Sequence, residues 1–148
     1  MPSLIKDGVV VEDVWDGELL SLEAYNGLMA DGAGPADNTA VQLEPGESPG
    51  DIAGDLNALP MVAIHFPVFT DGRGFSYARE LRQSGYRGEI RAVGYFMRDQ
   101  LGYLARCGFN AFAFAEDTDL QAALASLGEF SEHYQADVLH PEPLFRRR

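Results

Sequence analysis

The stretch MVAIHFPVFTDGRGFSYARELR, from Met61 to Arg82, constrains the fold more than any other part of this chain. It opens with an apolar run, Met61 to Phe66, of the length and character of a buried strand. Pro67 ends the run, because it has no N–H to give to a ladder. Two glycines then flank an arginine, Gly72-Arg73-Gly74, and a helix-period segment through Phe75, Ala78 and Leu81 begins at once. Strand, glycine-rich turn and helix in succession is the unit that sets functional groups at the carboxyl edge of an α/β sheet.

The same alternation extends on both sides. Ala40 to Leu43 reads as a short strand. Ser48-Pro49-Gly50-Asp51 then supplies an N-cap serine, a proline at the first helical position and an acid in the first turn, predicting a helix with Ile52, Leu56 and Leu59 inward. After the helix from Phe75 to Ser84, Gly85 and Gly88 bracket the turn into a third strand, Glu89 to Val93. Gly94 leads to a helix with Met97, Leu101 and Leu104 inward, closed by Cys107-Gly108. Asn110 to Ala115 is the fourth strand, and a final helix runs through Leu120, Ala123, Leu124, Leu127, Phe130 and Tyr134. Repeated β-α units predict an α/β fold with a four-stranded parallel sheet and right-handed crossovers, either open and flavodoxin-like or a half barrel.

Ahead of these units, residues 3–15 predict an N-terminal β-hairpin around Lys6-Asp7-Gly8. Residues 16–39 are acidic, glycine-rich and weakly periodic, and are expected to form a loop. Ala136 to Arg148 is expected to be an extended tail. The chain thus reads as a single α/β domain over 1–148, organised as hairpin and acidic loop (1–39), β-α units (40–135) and tail (136–148).

At 148 residues, 46% hydrophobic and 23% charged, such a domain can bury a sizeable core. No apolar run approaches the roughly 20 residues that span a bilayer, and MPSLIKDG lacks the features of a secretory signal, so a cytoplasmic protein is expected, away from membranes. One cysteine, Cys107, excludes an internal disulfide and a cysteine-cluster site. The net charge of −12 lies entirely before Arg73: Lys6 stands there against thirteen acids, whereas ten arginines balance ten acids afterwards. So acidic a chain is not expected to bind nucleic acid.

The loop Asp71 to Gly74 sits at a predicted helix N-terminus, where N–H groups and the helix dipole favour an anion. It lacks the Gly-Lys-Ser/Thr of a P-loop and the third glycine of a dinucleotide fingerprint; the alternative is a plain tight turn. Parallel strands would gather Asp71 and Arg73, then Tyr95, Arg98 and Asp99, then Glu116 and Asp117, on one edge, as a polar pocket or as a salt-bridged rim. Arg79 and Arg82 lie one turn apart, and Arg98 and Arg106 two turns apart; such forks suit sulfate, sulfite, phosphate or carboxylate. Pairing with Glu80, Glu89 and Asp99 is expected instead for Arg82 and Arg106. Phe66, Phe69, Phe75, Tyr77, Tyr95, Phe96 and Tyr103 crowd the same region, mostly as core. His65 is expected to be a hydrogen-bonded structural histidine, His133 and His140 are spaced poorly for a metal, and Cys107 is expected in the core.

The run Phe66-Pro67-Val68-Phe69-Thr70-Asp71-Gly72-Arg73-Gly74-Phe75-Ser76 carries a resemblance, together with Ala78-Arg79, Leu81-Arg82, Gly85-Tyr86, Gly88-Glu89, Arg91-Ala92-Val93-Gly94, Arg98-Asp99-Gln100-Leu101 and Arg106-Cys107-Gly108-Phe109. It is similar to the bacterial domain-of-unknown-function family 934, most strongly from Leu59 to Phe114. Relatives commonly read Gly-Asp where this chain reads Gly94-Tyr95. The resemblance implies a place in assimilatory sulfite reduction, since family members sit beside sulfite reductase genes and are labelled on that ground as oxidoreductases. The expected function is a cytoplasmic accessory protein working with sulfite reductase or its electron supply. Its surface would comprise Asp71, Gly72, Arg73, Gly74, Ser76, Arg79, Arg98 and Asp99. Without a cysteine cluster, dinucleotide fingerprint or haem signature, binding is expected over catalysis. The alternatives are a small oxidoreductase or cofactor-binding enzyme holding an oxyanion or flavin-like phosphate at the same edge, and a purely structural homodimer; the cofactor is left unassigned.

Overall fold

The computed structural model describes residues 3–32, 38–68, 72–96, 100–114 and 120–125. The predicted tail and the later part of the last helix lie outside the described residues. The chain opens with β1 (Ser3–Lys6) and β2 (Val9–Glu12), joined by Asp7 and Gly8 at φ 53° and 83°. Both central residues are left-handed, as a two-residue type I′ turn demands, and the predicted hairpin forms there.

Residues 16–39 depart from the expected loop. They contain β3 (Glu18–Ser21) and α1 (Leu22–Ala30). Ser21 caps the helix, its Oγ accepting from the Ala24 N–H at 3.1 Å, and Leu22 and Tyr25 are buried. The acids that disguise this segment, Glu18 and Glu23, occupy exposed positions.

β4 (Thr39–Leu43), β5 (Met61–Phe66), α2 (Arg73–Gln83), β6 (Glu89–Gly94), α3 (Leu101–Cys107) and β7 (Ala111–Phe114) follow close to their predicted places, and residues 120–125 are helical. The helix predicted after Ser48 is a further correction. Ser48 does accept from the Gly50 N–H at 3.2 Å, but only two 3₁₀ turns form, Pro49–Asp51 and Leu56–Ala58. Gly54 between them has φ 81°, which an α-helix cannot accommodate. Gly108 closes α3 at φ 125°, in its predicted role.

The sheet has seven strands in the order β2-β1-β7-β6-β5-β4-β3, not four. β3 to β7 are parallel, each beside its chain neighbour, and the hairpin joins antiparallel to β7 through Ile5↔Phe112 and Lys6↔Ala111. The count differs because β3 was hidden among acids and because the hairpin pairs into the main sheet instead of standing apart. Strand order never reverses, so the sheet lacks the switch point of a doubly wound, flavodoxin-like fold. Right-handed crossovers that always advance the same way put the helices on one face. One core confirms it: Val41, Leu43, Val62, Ile64, Ile90 and Phe112 pack with Leu22 and Tyr25, with Ala78 and Leu81, and with Leu101 and Leu104.

The other face is the inner wall of a curled sheet. β2 and β3 form its opposite edges, yet only residues 13–17 join them. Six inter-strand spacings span about 29 Å, whereas the backbone from Glu12 to Glu18 reaches at most about 22 Å. The two edges therefore lie closer together than the full width of a flat sheet of seven strands. Asp13 on this linker reaches Arg91, which alternates along β6 with the helix-side residues Ile90 and Ala92. The linker thus crosses the face opposite the helices.

Candidate functional site

Five parallel strands bring their carboxyl ends to one rim. There the chain leaves β5 through Pro67 and Val68 and re-enters at Gly72, the N-cap of α2. Gly72 has no side chain, so the first turn of α2 lacks a side-chain cap. Arg73 and Ser76 are exposed, and the Ser76 hydroxyl donates to the Arg73 carbonyl at 3.2 Å. Gly74 is buried for packing. A Cβ there would stand 2.8 Å from Ile64 Cγ2 and 2.9 Å from Phe66 Cε1, so only glycine lets α2 lie this close to β5.

Arg79 does not join this group. It lies six residues further along α2, and its Nη2 is 3.9 Å from Cys107 Sγ, at the end of α3. Cys107 itself is buried, as expected. Asp71, Arg98 and Asp99 lie outside the described residues, as do Glu116 and Asp117. Tyr95 is at the rim, 45% exposed, with its N–H donating to the Phe66 carbonyl at 2.8 Å.

Residues not singled out by the sequence reading complete the rim. Glu44-Pro45-Gly46-Glu47 follows β4, with the Glu47 N–H donating to the Glu44 carbonyl at 3.0 Å and Gly46 at φ 95°. Proline at the second place and a left-handed glycine at the third is the signature of a type II turn. From this turn Glu44 reaches His65, its Oε1 2.6 Å from the imidazole Nδ1. The other carboxylate oxygen accepts from Gln42 Nε2 at 2.8 Å, and the Glu44 N–H donates to Glu47 Oε1 at 2.7 Å. His65 is thus hydrogen-bonded, as expected, but its partner is a rim carboxylate. On the far side of the turn, the Gly46 N–H donates to the Tyr77 hydroxyl at 2.9 Å, and a Cβ on Gly46 would lie 3.6 Å from Arg73 Nη1. The turn therefore connects His65 to the start of α2. The signal available beforehand was the pairing of β4 with β5: Leu43 opposes Ile64, which places Glu44 level with His65.

Arg82 serves the scaffold. It was expected to pair with acids. Instead its Nε donates to the Gly108 carbonyl at 3.0 Å, and its Nη1 to the carbonyls of Tyr86 and Gly88 at 3.0 and 2.9 Å. Burial pulls its pKa below the ordinary guanidinium value. Arg106 lies over the Tyr103 ring at 5.0 Å. Burial also pushes the Tyr86 hydroxyl well up, and that of Tyr25 up, from their ordinary value. Phe66, Phe75, Phe96 and Phe109 pack ring to ring in the core, while Tyr95 and Tyr103 keep part of their rings outside.

A cleft of about 430 Å³ lies elsewhere, between the 3₁₀ segment at Pro49 to Leu56 and Glu80, Gln83 and Ser84 of α2. Among the described residues no group of three or more histidines, cysteines or acids is placed to hold a metal, and no helix is long and apolar enough to cross a membrane. No curated protein and no solved structure matches the chain. The family model described as "Bacterial protein of unknown function (DUF934)" matches residues 40–145, from β4 onward, and the chain belongs to that family.

Proposed function

We propose that this chain is a cytoplasmic accessory protein of assimilatory sulfite reduction that binds a small oxyanion at the carboxyl rim and docks there with sulfite reductase or its electron supply. The observation that carries the reading is the start of α2, where Gly72 leaves the first turn without a side-chain cap and Arg73 follows on the surface. A helix N-terminus beside an arginine favours an anion by dipole and by charge. The sulfite context comes from the resemblance of the Phe66 to Ser76 run to its family. Val68 and Tyr95, 53% and 45% exposed on neighbouring exits of the rim, offer apolar contact to a protein partner.

Calorimetric titration with sulfite, and capture of purified sulfite reductase, test the two halves. Wild type should bind in both assays, and Arg73→Ala should weaken both. Neither binding nor capture by wild type would remove the proposal. A second reading, a small enzyme of sulfur assimilation acting at the same rim, is favoured by the carboxylate-held imidazole of His65. A visible spectrum of the purified chain separates out a flavin or haem carrier.

A further inference from the structure

The ring of His65 is fixed from several sides. Glu44 holds Nδ1, Gln42 holds the second oxygen of Glu44, and the Glu44 backbone is tied to Glu47. Gly94 backs the ring: a Cβ at that position would come within 3.1 Å of His65 Cδ2 and would collide with the Phe66 carbonyl. A carboxylate on Nδ1 sets the tautomer of a neutral imidazole, so that the lone pair is carried by Nε2. Nε2 meets no hydrogen-bond partner among the described residues, and the side chain is 31% exposed. An imidazole oriented by a carboxylate and open at its second nitrogen is the arrangement that moves protons in general acid–base chemistry.

We propose that His65 accepts a proton through Nε2 from an oxyanion bearing an exchangeable hydrogen, such as hydrogen sulfite; this rests on the oxyanion reading above. In the step, the ligand O–H bond breaks as an Nε2–H bond forms. The imidazolium then faces the Glu44 carboxylate, and the negative charge gained by the ligand faces Arg73 and the start of α2. Glu44 is the charged group in contact with the ring; the neighbouring elements carry Glu47 on the turn, Tyr77 and Arg73 of α2 across Gly46, and Arg91 and Tyr95 two residues to either side of Val93, which opposes His65. The turn from Glu44 to Glu47 joins the two halves of the site, through the Glu44 carboxylate on one side and Gly46 on the other.

The test is titration of the full chain with sulfite near neutral pH. It is read by calorimetry in two buffers of different ionisation enthalpy and by NMR of the histidine rings. Wild type should bind with the His65 ring passing to its imidazolium form. His65→Gln and the isosteric Glu44→Gln should each weaken sulfite about 10-fold, the scale of one charge-assisted hydrogen bond. In Glu44→Gln, which keeps the shape of the turn, the ring signal should also stop responding to sulfite. Equal affinity in wild type and both variants, with an unresponsive ring, would overturn the role of His65 and leave the anion site standing. If wild type and Arg73→Ala alike fail to bind sulfite, both readings fall together.

Discussion

Asp13 and Arg91 are 78 residues apart in the chain and 3.2 Å apart in the fold. Arg91 also donates from Nε to Glu89 at 2.7 Å, and Glu89 in turn meets Lys6 Nζ at 3.0 Å. Four alternating charges thus tie the hairpin, β6 and the linker across the inner wall.

Arg91 is the buried member, its side chain 9% exposed, so its removal takes the guanidinium from Asp13 and leaves the 11% exposed Glu89 with Lys6 alone. Arg91→Ala should lower stability by about 3 kcal/mol. Lys6→Ala, at a side chain 43% exposed, should cost under about 1 kcal/mol. Urea unfolding of the two variants checks the order, and equal losses would refute the buried tie.

Gly74→Ala separates packing from function in the loop of the proposed site. Its Cβ would press on Ile64 and Phe66, whose side chains are enclosed by the core. Alanine gains helix propensity but forces α2 outward, and a net loss of about 1–2 kcal/mol is expected in denaturant unfolding. A stabilised variant would mean that the core yields more easily than its burial implies.

Arg82 holds three carbonyls at the turn leading to β6 and at the close of α3. Arg82→Ala leaves those acceptors without their donor and should cost about 2–4 kcal/mol by thermal or urea unfolding. Arg82→Lys should recover only part of the loss, because one ammonium does not reproduce the planar fork. Full recovery would show that charge matters there more than geometry.

Tyr86 makes stability fall in alkali. Its hydroxyl, buried and donating to the Leu59 carbonyl at 2.8 Å, is held above its ordinary 10.0, despite the opposing pull of Arg82. The unfolded chain releases this proton as pH rises past about 10, while the folded chain keeps it. The contribution is therefore whole below that pH and is lost above it. Tyr86→Phe should cost about 1–2 kcal/mol at neutral pH and flatten the alkaline decline. Tyr25, shifted the same way by burial, leaves some slope behind. An unchanged slope in Tyr86→Phe would place its origin elsewhere.

From Met61 to Phe114 the described elements were legible because local chemistry and burial agree. Met61–Phe66 is a buried strand whose helix-side residues, Val62, Ile64 and Phe66, enter the core, and Gly108 stops α3 where a left-handed residue is needed. The Asp7-Gly8 hairpin was equally plain, since so short a turn is specified by its own two residues. β3 and α1 were not legible, because short elements with exposed acidic positions carry little periodicity. The helix after Ser48 failed because a good cap starts a helix but does not sustain it past Gly54 at φ 81°.

The candidate site divides in the same way. The chain alone determined that a glycine-flanked arginine follows a buried strand and opens a helix, because those residues are contiguous and their demands are local. That Gly74 is a packing residue, that Arg79 turns to Cys107, and that Glu44 meets His65 was decided only by tertiary structure. These contacts depend on which strands pair and in what register. Residues 21 positions apart, such as Glu44 and His65, become neighbours only once β4 lies beside β5 and both end at one rim.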